Sequence, residues 1–96
     1  PTLPRLVWSL GLFYRRMGRP DDAKSAVRRA LLLFPEDRSL LHFLADLLIE
    51  GGDKSAAAAV AMDLRAVCER HPETFTVDWA EALALLESRI VNSTPA

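Results

Sequence analysis

Cys68 and His71 are the residues of this sequence whose types and spacing come closest to metal chemistry. They are separated by two residues in Cys68-Glu-Arg-His71, a spacing that some zinc sites use. A structural zinc site has four protein ligands, however, and no second pair of ligands accompanies this one. Cys68 is the single cysteine of the chain, which excludes an internal disulfide. We therefore predict no metal site and expect Cys68 to pack as a small apolar residue.

No other group of polar residues has the spacing of a catalytic site. The sequence contains no nucleophile elbow, no phosphate-binding loop, no zinc-protease motif and no dinucleotide fingerprint. His42 is the second histidine, and it lies in the middle of a predicted helix. The sequence therefore predicts no enzyme, no catalytic residue and no cofactor.

Charge is spread unevenly along the 96 residues. Residues 1–34 carry seven Lys and Arg against two Asp, and residues 35–96 carry five Lys and Arg against eleven Asp and Glu. The net charge is −1, and the arginines are not interleaved with aromatic residues in one strip. Nucleic acid is therefore not an expected partner. No apolar run reaches the roughly 18 residues of a membrane span.

Apolar periodicity and helix-end residues predict five helices and no strand. We place the helices at about residues 4–17, 21–34, 36–50, 54–70 and 77–91, followed by a polar tail at 92–96. Asp53 and Thr76 are predicted N-caps, and Gly51-Gly52 is a strong C-terminal stop signal. The length and this composition predict one all-α domain over residues 1–96.

A repeat of 34 residues organises these helices. It relates the following pairs: Leu10 and Leu44, Gly18 and Gly52, Ala23 and Ala57. Gly11 is a poor helix former, by about 1 kcal/mol relative to Ala, and the second copy has Ala45 at this place. Small residues at matching places predict that helices pack closely there, and at Gly11 we expect the backbone of another helix.

The repeat resembles the tetratricopeptide repeat family over about residues 5–72, which would be two repeats. The resemblance depends on Leu10-Gly11-Leu-Phe-Tyr14, on Gly18 followed five residues later by Ala23, and on the closing Pro35. Trp8 lies one place later than the usual tryptophan of the family. In the second copy Leu64 replaces a small residue and Pro72 comes three residues late, so we expect helix four to be longer by about a turn.

The resemblance implies an all-α helix-turn-helix solenoid, with repeat 1 at about residues 5–37 and repeat 2 at about 38–72. Helix five, at about 76–91, is then either a capping helix for repeat 2 or the first half of a third repeat. Two repeats are fewer than a stable stack usually needs. We therefore expect the chain to be a fragment of a longer protein.

In tetratricopeptide proteins the first helix of each repeat lines a concave groove that binds a peptide or a partner helix. The resemblance thus implies a groove across helices one and three, with an apolar floor, an arginine end and an acidic patch. Its expected residues are Arg5, Trp8, Leu12, Arg15, Arg16, His42, Phe43, Asp46, Ile49 and Glu50. The alternative is that Trp8 and Leu12 contact a further repeat upstream.

These features predict a protein–protein interaction module, an adaptor or assembly scaffold with a protein or peptide partner. The alternative is an accessory domain that positions a substrate for a larger enzyme or a secretion component. Trp8, Leu12 and Phe43 stand where the family's clamp for C-terminal carboxylates has Lys and Asn, which argues against that ligand. A homodimer is also expected, through paired faces of helix one that include Trp8.

Overall fold

Five α-helices and one short 3-10 helix make up most of the computed structural model, which describes residues 3–92. The α-helices are α1 (Leu3–Arg16), α2 (Pro20–Leu33), α3 (Arg38–Glu50), α4 (Lys54–Arg70) and α5 (Val77–Asn92), and the 3-10 helix is Pro72–Thr74. No strand occurs within residues 3–92. The all-α prediction with five helices is confirmed. Of the predicted tail, Asn92 ends α5 and the rest lies outside the described residues.

Side-chain caps fix the starts of α3, α4 and α5. Asp53 accepts a hydrogen bond from the backbone N–H of Ala56 at 3.1 Å, and Thr76 accepts one from that of Trp79 at 3.3 Å. Both predicted N-caps are confirmed. Asp37 caps α3 in the same way, so this helix begins at Arg38 and not at residue 36 as predicted, because a cap residue itself is not helical.

The turns after α1 and α3 have the same backbone geometry. Gly18 has a φ of 72° and Gly52 a φ of 80°, and these are the only positive φ angles within the described residues. Glycine adopts this left-handed conformation without the steric cost that a Cβ imposes. The glycines at 34-residue spacing therefore reverse the chain in each repeat.

The core forms around α3, which contacts each of the other four α-helices. Ala23, Ala45 and Ala57 are fully buried, and Ala30 is nearly so. These small residues lie where helices meet, as the repeat predicts. No helix within the described residues is long and apolar enough to cross a membrane.

Gly11 is buried as predicted, but its close neighbour is different. A Cβ placed on Gly11 would lie 2.4 Å from Cε2 of Phe43, and its three nearest atoms are all in that ring. The expected close approach of a helix backbone is therefore wrong at this place. The glycine makes room for an aromatic ring of α3.

The second half of the chain repeats the first with one insertion. α4 has 17 residues and α2 has 14, which confirms that the fourth helix is longer by about a turn. Beyond it, α5 packs against α4 and α3 as α3 packs against α2 and α1. Its buried side chains are Leu83, Leu86 and Ile90. α5 thus covers one side of α3 and α4, in the place that α3 takes relative to α1 and α2.

Candidate protein-binding groove

A groove of about 590 Å³ runs across α1, α3 and α5, and we call it the three-helix groove. It is lined by Pro4, Arg5, Trp8, Asp37, Ser39, His42, Asp78, Trp79 and Ala82. Three of the ten residues expected from the sequence, Arg5, Trp8 and His42, are among these lining residues. Each comes from the first helix of a repeat, in agreement with the helix register.

Trp8 forms one wall of the groove and is 39% exposed. Its ring meets that of Phe43 edge to face, with the ring centroids 6.2 Å apart. Phe43 itself is only 3% exposed, and Leu12 is partly buried against the core. Phe43 therefore supports Trp8 from below and offers a ligand almost no surface, and Leu12 is less exposed than the sequence led us to expect.

Trp79 of α5 lines the same groove, and it is not among the ten residues expected there from the sequence. Its ring lies 6.4 Å from that of His42 and 5.9 Å from the guanidinium carbon of Arg38. Arg38 also donates a hydrogen bond to the carbonyl oxygen of Thr74 at 2.8 Å. These contacts hold the start of α5 against α3 and position the indole ring over the groove.

Arg15 and Glu50 lie together beside the groove as an ion pair. Nη1 of Arg15 is 3.3 Å from Oε2 of Glu50, and the guanidinium lies 5.5 Å from the centre of the Phe43 ring. The sequence prediction assigned Arg15 to an arginine end of the groove and Glu50 to an acidic patch. In the structure the two charges compensate each other between α1 and α3.

Asp46 is compensated as well. It forms an ion pair with Arg89 of α5, and Nδ1 of His42 lies 3.5 Å from its carboxylate. Ile49, one turn further along α3, is partly buried against the core. The predicted acidic patch is therefore not a free charged surface. Arg89 was not predicted, because nothing local in the sequence indicates an ion pair that spans 43 residues.

Arg16 is exposed, and neither it nor Leu12 is among the residues that line the groove. The charged residues that line it are Arg5, Asp37 and Asp78. Asp37 already caps α3 through Oδ1. The groove is thus mainly an aromatic surface with few charges at its margin.

The family comparison agrees with this geometry. Residues 4–47 match the model of the tetratricopeptide repeat family. This part of the chain is similar to a tetratricopeptide repeat. The match covers α1 from Pro4 onward, α2 and the first ten residues of α3. No curated protein and no solved structure matches the chain.

Tetratricopeptide repeats generally mediate protein–protein interaction, and the family is typically non-catalytic. The repeat register also explains which groove residue the sequence prediction missed. Trp8 and His42 are 34 residues apart, and Trp79 follows His42 after 37, since α4 is three residues longer than α2. Gly11, Ala45 and Ala82 keep the same spacing. The late Pro72 was therefore the signal that could have placed Trp79 in the groove.

Two acidic residues outside the groove stabilise the helix contacts. Hydrogen bonds from His71 and Arg70 hold the pKa of Glu36 below its usual value. The bidentate contact with Arg65, at 2.9 and 2.6 Å, lowers the pKa of Glu87 in the same way. His71 thus contacts Glu36, while Cys68 is buried and free. Among residues 3–92 no three His, Cys, Asp or Glu side chains form a group that could hold a metal ion.

Proposed function

We propose that the chain is a protein-interaction module that binds a peptide or a partner helix in the three-helix groove. The observation that supports this is the presence of two partly exposed tryptophans, Trp8 and Trp79, in one groove. Tryptophan is enriched among the residues that dominate binding energy at protein interfaces, because it buries a large rigid surface. Each ring has a supporting contact within the chain and still presents part of its surface in the groove, which favours recognition.

The groove favours a ligand that is largely apolar. Arg15, Glu50 and Asp46 already have charged partners within the chain, so a ligand would gain little from them without breaking those contacts. Arg5 is the basic group at the margin. We propose that an aromatic or aliphatic side chain of the partner contacts the tryptophans and that Arg5 pairs with an acidic residue beside it.

A peptide selection tests this function. A library of displayed random peptides is panned on the full chain, with the Trp8→Ala/Trp79→Ala variant as the counter-selection. Peptides that pass are synthesised with a fluorophore, and their affinity for the chain is measured by fluorescence polarisation. Each single Trp→Ala variant should weaken binding by about tenfold or more, as truncation of a dominant interface residue does.

Met62→Ala is the matched control, because Met62 is an exposed apolar residue of α4 that does not line the groove. It should leave the affinity unchanged. The proposal fails if the selection enriches no peptide, or if the enriched peptides bind the double tryptophan variant as well as the original chain.

A further inference from the structure

The surface of α1 that faces away from the three-helix groove has an apolar stripe, which is exposed in the single chain. Its members follow alternate spacings of three and four residues along the whole helix: Leu3, Leu6, Leu10, Phe13 and Met17. This is the spacing of positions a and d in a heptad, which marks a helix that packs along another helix. Met17, at 60% exposed, lies just beyond the end of α1.

The repeat shows what kind of element covers these positions when they are buried. Leu6, Leu10 and Phe13 are 58%, 43% and 56% exposed. Their equivalents 34 residues later are 0%, 4% and 1% exposed, and they are Leu40, Leu44 and Leu47 of α3. In repeat 2 the preceding helix, α2, packs against α3. The stripe on α1 therefore has the shape and chemistry of a helix-binding surface.

The stripe continues into a groove of about 580 Å³ between α1 and α2, and we call the two together the outer α1–α2 face. The groove is lined by Leu3, Val7, Leu10, Tyr14, Asp22, Ser25, Ala26, Arg29, Ala30 and Leu33. Its charged residues are Asp22 and Arg29, which lie on the same side of α2, two turns apart. Arg29 makes no ion pair with any residue among 3–92, while Asp22 pairs with Arg19 through Oδ2.

The outer α1–α2 face is complementary to itself under a two-fold rotation. The stripe is centred on Leu10, with Leu3 and Met17 seven residues to either side. Ser25 and Ala26 lie midway between Asp22 and Arg29 on α2, and Ala26 lines the groove with Leu10. A two-fold axis through this centre would place the Leu3 end of one stripe on the Met17 end of the other. It would also bring Asp22 of one copy near Arg29 of the other. A two-fold interface requires this kind of self-complementarity.

We propose that a second copy of this chain covers the outer α1–α2 face, with Asp22 of each copy beside Arg29 of the other. The α1 and α2 helices of both copies then form a four-helix arrangement around the stripe. This dimer differs from the pairing predicted through Trp8. Trp8 lines the three-helix groove on the other side of α1, so the groove stays open in both copies.

Sedimentation equilibrium of the full chain with charge-reversal variants tests the proposal. The original chain should sediment as a dimer at micromolar concentration. Asp22→Arg and Arg29→Asp should each raise the dimer dissociation constant by about tenfold or more, because each puts two like charges together at two symmetric places. The double reversal restores opposite charges and should restore the dimer. Arg28→Asp is the matched control, an exposed neighbour that does not line the groove.

Leu6→Ser/Phe13→Ser provides a second measurement, because both side chains are more than half exposed in the single chain. This variant should be monomeric with an unchanged helical circular dichroism spectrum. A monomer at every concentration of the original chain would overturn the proposal and leave the face to another protein. Assemblies larger than dimers would also overturn the proposal, as would a double charge reversal that fails to restore the dimer.

Discussion

Replacement of Gly11 by alanine would raise the helix propensity of α1 and would also add a Cβ atom that clashes with a neighbouring ring. The new Cβ would lie 2.4 Å from Cε2 of Phe43, whereas ordinary contacts of this kind begin at 3.4 Å. The ring must therefore move by about 1 Å, and it is buried beneath Trp8. Overpacking of this kind costs about 1–3 kcal/mol, and alanine recovers about 1 kcal/mol of helix propensity. We expect a net destabilisation of about 1 kcal/mol.

The measurement is chemical denaturation followed by circular dichroism, with a thermal scan in parallel. A loss of about 1 kcal/mol corresponds to a fall in Tm of roughly 4–8 °C for a domain of this size. Ser9→Ala on the exposed side of α1 is the control, and it should show only the small gain in propensity.

The same substitution in a Phe43→Leu background tests the physical cause. The shorter side chain removes the ring atoms that the Cβ would meet, so Gly11→Ala should there stabilise the fold by about 0.5–1 kcal/mol. The sign of the effect thus reverses between the two backgrounds. If Gly11→Ala stabilises both backgrounds equally, the ring does not require a glycine and this reasoning is refuted.

Two further predictions concern the helix contacts. Ala23→Leu should destabilise the fold by about 1–3 kcal/mol, because this side chain is fully buried between helices. Ala59→Leu, on the exposed side of α4, is the control and should be nearly neutral. Equal denaturation midpoints for the two variants would contradict the close helix contact at Ala23. Glu87→Gln should destabilise the fold by only about 0.3–1 kcal/mol, since Arg65 and Glu87 are both more than a third exposed. Glu69→Gln should destabilise it less, because Glu69 lies at a longer distance from Arg65. Because the hydrogen bonds from Arg65 lower the pKa of Glu87 in the folded state, the contribution of this carboxylate to stability is complete well above its ordinary pKa of 4.5. That contribution is lost as the pH falls through the lowered pKa of the folded state. A Glu87→Gln effect that is constant down to acid pH would refute the ion pair.

The sequence alone determined the helices and the turns between them. Gly18 and Gly52 recur at the repeat spacing because each turn needs a left-handed residue, and this requirement is local. Asp53 and Thr76 cap the next helices through hydrogen bonds that span three residues. The 34-residue period likewise placed Ala23 and Ala57 at helix contacts. Such features depend on neighbours along the chain, which a sequence shows directly.

Only the tertiary structure decided which groups of different helices meet. Helix periodicity assigned Arg15 and Glu50 to faces, but the packing of α1 on α3 joined them as an ion pair. The offset of three residues in α4 brought Trp79 beside His42, and a ring took the place expected for a backbone at Gly11. The 3.6-residue turn of a helix determines the face on which each side chain lies. The residue that this side chain contacts on a neighbouring helix depends on the distance and angle between the two helices, which only the packed core sets.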